Sequence, residues 1–87
     1  MYATFVKLEK KSDTSYVVHF PAFPGLTAVG NSEATAFFNA GWALASFIKV
    51  MQDERYDLPP SATLMDLLVF GSDASYHIIE VPLHAQV

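Results

Sequence analysis

Three histidines, nine carboxylates and no cysteine bound the chemistry that this 87-residue chain could perform. His19, His77 and His84 fall on separate segments, without the spacing that brings imidazoles to one ion, and read as surface or strand-face residues. With no cysteine there is no disulfide framework, thiolate zinc site or cysteine nucleophile. Ser15 and Ser46 have no evident base partner, and no Gly-x-Ser-x-Gly turn is present. Asp13, Glu33, Asp53, Glu54, Asp57 and Asp73 fall in turns and at helix ends, where solvent and the helix dipole account for them without paired-carboxylate catalysis. There is no glycine-rich phosphate loop. These residues predict no catalytic site, no metal and no cofactor, and point to binding rather than catalysis.

The elements that carry them follow from hydrophobic period. Residues 2–9 alternate, with Tyr2, Thr4, Val6 and Leu8 on one side and Lys7 and Glu9 on the other, as in a half-buried strand. A polar turn over residues 10–14 leads to a second alternating run, residues 15–20, and the two predict an antiparallel hairpin. Pro24 presets φ for the second position of a turn, and Gly25 supplies the positive φ that a type II turn needs next. Residues 26–29 read as a third strand pairing back on the hairpin. Asn31 or Ser32 can then cap a helix whose first turn holds Glu33.

That helix is predicted over residues 33–54. Ala34, Phe37, Phe38, Gly41, Leu44, Ala45 and Ile48 recur at helical spacing and are expected to face the sheet. Thr35, Asn39, Ser46, Lys49 and Asp53 hold the opposite arc. A third arc, Ala36, Ala40, Ala43, Phe47 and Val50, is also apolar, which a helix packed on its own sheet does not need. Either this arc is an interface with a second copy or another protein, or Leu64, Leu67, Leu68 and Phe70 fold back over it. Trp42 and Phe47 suit a core or an interface role. Pro59-Pro60 closes off the helix region. Residues 63–70 suit a short helix or a strand, and residues 76–83 a last strand in which Pro82 marks an edge or an end. The expected fold is α+β, a three-stranded antiparallel meander plus a C-terminal strand on one long helix, in a single domain over residues 1–87.

Composition narrows the function. Hydrophobic residues make up 52% and charged ones 16%, so disorder is excluded and surface hidden in an oligomer or complex is expected. The net charge of −4, with cations scattered apart from Lys10-Lys11, disfavours gripping phosphates and suits a basic protein partner. The uncharged residues 34–48 fall short of the ~20 that a membrane span needs, and the first residues do not read as a signal peptide. A cytoplasmic protein with no membrane partner is expected.

The ordered set Phe20-Pro21-Ala22-Phe23-Pro24-Gly25-Leu26-Thr27, Gly30-Asn31-Ser32 with an alanine-rich helix, Leu58-Pro59-Pro60-Ser61 and Ile79-Glu80-Val81-Pro82-Leu83 resembles the N-terminal domain of HicB-type antitoxins. These are partners of small mRNA-cleaving HicA toxins. The resemblance covers nearly the whole chain and implies a partial RNase H-like fold without the acidic cluster of active RNase H enzymes. It also implies the function, which is to bind a small basic toxin and cover its RNA-cleaving site. Ala22 stands where the family often has an acidic residue, and Glu33-Ala34-Thr35 weakens its common Glu-Glu-Ala. Family members usually continue into a DNA-binding domain, so this chain alone is not expected to bind operator DNA. The alternative is a nucleic-acid-binding or regulatory protein using the exposed sheet.

Overall fold

The computed structural model describes residues 2–62 and 76–82. The chain runs β1 (Tyr2–Ser12), β2 (Ser15–His19), β3 (Thr27–Gly30), α1 (Glu33–Asp53) and β4 (Tyr76–Val81). The four strands form one antiparallel sheet in the order β3-β2-β1-β4, so the expected meander is present and the last strand adds to its β1 side. β1 is shared by two neighbours. Its first half, from Tyr2 to Lys7, pairs with β4, and its second half, from Lys7 onward, pairs with β2.

The hairpin is longer than its alternation suggests. β1 continues through the residues expected to turn, and only Asp13 and Thr14 remain to turn the chain. A register irregularity between Lys10 and Ser12 absorbs the mismatch. The Pro24-Gly25 turn forms as expected, with Gly25 at φ +88° and the Leu26 N–H donating to the Phe23 carbonyl at 3.0 Å. Ser32 is the N-cap, its Oγ accepting from the Thr35 N–H at 3.1 Å. β4 ends at Val81, before Pro82; Leu83 and residues 63–75 lie outside the described residues.

One face of the sheet and one stripe of α1 make the core. Tyr2, Val6, Val18, Ala28 and Val81 point from the strands, and Phe20 and Phe23 from the loop after β2. From the helix come Ala36, Ala40, Leu44 and Ile48, all without solvent exposure. This corrects the expected sheet-facing set: Leu44 and Ile48 are buried, but Ala34 and Phe38 are exposed and Phe37 is half-buried. The physical reason is close approach. A Cβ built on Gly30 would lie 2.4 Å from the Ala36 nitrogen, so helix and β3 touch backbone to backbone where only small residues fit. Bulky Phe38 cannot occupy that seam.

After the helix the chain returns along β1. The Ala62 N–H donates to the Ala3 carbonyl at 2.8 Å, the Ala3 N–H donates to Ser61 Oγ at 3.0 Å, and the Tyr2 hydroxyl donates to the Pro59 carbonyl at 2.7 Å. The paired prolines thus belong to a strap that covers the part of β1 that β2 does not reach. α1 is long and apolar enough, by length and a mean hydropathy of 1.2, to cross a membrane, but here the sheet covers its buried stripe.

Candidate partner-binding surface

The third helical arc divides in the structure. Ala36 and Ala40 are wholly buried against the chain's own sheet and cannot meet a partner, and Ala43 is half-buried against the same core. Phe47 is 39% exposed, its ring edge-on to Phe23 at 5.6 Å between centroids, and Val50 is 57% exposed. The outer members of the arc therefore remain available.

A second apolar surface lies on the opposite side of the helix. Phe38 and Trp42 are 66% and 65% exposed. They flank a groove of about 440 Å³ between α1 and β4, lined by Phe37, Phe38, Gly41, Trp42 and Ala45 on the helix and residues 79–82 on the strand side. Among the described residues Glu80 is the sole charged one in that lining. Phe37 forms the floor with an edge-on contact to the His77 ring at 4.9 Å, which gives His77 a packing role. Gly41 has open space beside its Cα, leaving a notch between Phe38 and Trp42. Sequence reasoning assigned Phe38 to the core and missed this surface. The signal was the small pair Ala36 and Ala40: once they face the sheet, Phe38 and Trp42 lie roughly 200–240° round the helix from Ala36 and must point away.

The polar side chains make surface pairs. Glu9 Oε1 lies 2.9 Å from His19 Nε2 and 3.3 Å from Lys11 Nζ, and these two hydrogen bonds, His19 first, hold the Glu9 carboxyl below its ordinary range. Lys10 pairs with Asp13 and Lys49 with Asp53, each at 3.3 Å. All are exposed pairs worth little individually. Burial pushes the Tyr2 phenol up. Among the described residues no three His, Asp or Glu side chains converge as a metal site would require.

Compared with solved structures, the chain is similar to the N-terminal domain of the Burkholderia pseudomallei antitoxin HicB, with a TM-score of 0.72 at 19% identity over 93% of this chain and 99% of that one. The fold is that of the HicB antitoxin N-terminal domain. It matches the B. pseudomallei antitoxin HicB with the same TM-score and identity over 97% of this chain, but spans 63% of that chain. A HicA3 and HicB3 toxin–antitoxin complex contains a further match, TM-score 0.60 at 22% identity, over 93% of this chain and 96% of that one. No family model and no curated protein matches the sequence. The likeness agrees with the α+β architecture, one antiparallel sheet packed on one helix, expected from the residues.

Proposed function

We propose that residues 1–87 act as one antitoxin module, which binds a small basic HicA-type toxin and neutralises it by covering its RNA-cleaving site. The observation that carries this reading is the HicB N-terminal fold over nearly the whole chain. Two further features support it. An acidic chain of net charge −4 is complementary to a basic, RNA-binding toxin. The exposed aromatics Phe38, Trp42 and Phe47 supply the desolvated anchors that protein interfaces use. On this reading the chain works in the cytoplasm, catalyses no reaction and needs no cofactor.

Co-expression tests it. With a HicA-type toxin encoded beside this chain, growth arrest should be relieved and the two proteins should co-purify in fixed proportion. Persistent arrest with no complex would overturn the reading. A shift of labelled RNA by the purified chain that weakens steeply with salt would instead favour direct nucleic-acid binding.

A further inference from the structure

We infer that Asn39 is an edge guard: its side chain closes the outer edge of β3 and keeps that strand from pairing with a strand of another molecule. β3 ends the sheet on the side away from β4. Asn39, exposed on α1, reaches across to it and donates from Nδ2 to the Val29 carbonyl at 2.8 Å. In an antiparallel ladder the N–H and C=O of one residue point the same way, and successive residues alternate. Val29 therefore faces outward, as does Thr27, while Ala28 and Gly30 face their partners Val18 and Tyr16 on β2. A strand arriving at this edge would bond to Thr27 and Val29, and the Val29 carbonyl is already taken by an amide that stands in the approach.

The strand itself lacks the usual protection. An outer strand is blunted by a charge, a proline, a bulge or a covering segment. β4 carries Glu80 and is followed by Pro82. β3, Thr-Ala-Val-Gly, has neither a charge nor a proline, and Val29 is 61% exposed. Two of its four positions have no room for such a residue. Ala28 is buried, and a Cβ on Gly30 would lie 2.4 Å from the Ala36 nitrogen. Protection comes instead from the helix that packs against the strand.

The residue type fits this role better than it fits the helix. Asparagine is a poorer helix former than alanine, and Ala36, Ala40 and Ala43 hold the positions around it. Capping a carbonyl needs a donor, which the asparagine amide has and an aspartate carboxylate of the same size lacks. Closing this edge also limits assembly. A sheet open at both margins can recruit strands without end, whereas one closed margin stops that growth.

The test is whether association follows the guard. Asn39→Ala removes the donor and favours the helix, so circular dichroism and the urea midpoint should stay close to those of the parent. In light scattering over a concentration series, the variant should grow beyond the parent's mass. The onset should come at a concentration lower by roughly three- to tenfold, which is what one net hydrogen bond is worth. The Thr27 and Val29 amides should gain protection from hydrogen exchange as that mass grows. Adding Val29→Lys to Asn39→Ala returns a charge to the exposed edge and should restore the parent's mass. A variant with the parent's mass at every concentration, growth that Val29→Lys leaves intact, or growth without protection at Thr27 and Val29 would each overturn the inference. So would loss of the folded spectrum in Asn39→Ala, which would make Asn39 a structural prop. Every comparison is with the parent chain alone, so none of these outcomes depends on whether the toxin reading holds.

Discussion

Replacing Gly30 with alanine probes the contact that orients the helix on the sheet. The added methyl would sit 2.4 Å from the Ala36 nitrogen, 2.8 Å from its Cα and 2.8 Å from the Thr35 carbonyl carbon. All three are backbone atoms at the helix start, so no side chain can swing aside. Gly30 is not in the left-handed region, so the cost is steric rather than torsional. Overpacking a closed site costs about 1–3 kcal/mol, and a backbone clash belongs at the top of that range. For a domain of this size that is a fall in Tm of roughly 12–24 °C. The control is Gly41→Ala on the same helix, where nothing lies within 4 Å. There the gain in helix propensity predicts stabilisation of about 0.5–1 kcal/mol. Urea and thermal unfolding at one fixed protein concentration would read both. A Gly30→Ala protein within about 0.5 kcal/mol of the parent would refute the close-approach argument.

Other expectations follow from the same packing. Leu44→Ala should cost about 2–5 kcal/mol, whereas Phe38→Ala should cost within about 0.5 kcal/mol in the monomer, measured by denaturation at low concentration. Ser32→Ala should remove about 1 kcal/mol by freeing the Thr35 N–H, seen in the same experiment. The Glu9 carboxyl is held below its ordinary value of 4.5, so the stabilisation it provides is present above that pH and is lost as pH falls through the lowered folded value. Glu9→Gln should flatten that part of an acid-unfolding profile, and an unchanged profile would deny the His19–Glu9 pair any role.

Much of this fold was legible because short-range physics decides it. Alternation marks β1 and β2, the Pro24-Gly25 turn needs a positive φ that Gly25 provides, and Ser32 offers its oxygen where a helix must begin. The far end of the hairpin was missed because residues 10–12 are polar and exposed, and nothing buried imposes alternation there. The helix face was misread for a different reason. α1 is apolar over most of its circumference, so periodicity alone cannot choose the side that meets the sheet. Gly30, distant from the later turns of the helix, makes that choice by its lack of a side chain. The groove was invisible for the same kind of reason, because it joins Phe38 and Trp42 to residues some 40 positions later. Of the expected interface residues, Phe47 and Val50 remain exposed and Ala36 and Ala40 do not. The alternative cover, Leu64 to Phe70, lies outside the described residues.

The central claim is toxin neutralisation, and inhibition of RNA cleavage tests it most directly. A purified HicA-type toxin, encoded beside this chain, would be assayed on a labelled transcript while this chain is titrated in. The account predicts that cleavage falls to background as the chain reaches stoichiometric amounts, with a complex of the two proteins isolated from the same mixture. Cleavage that continues at its original rate in the presence of excess folded chain would contradict it.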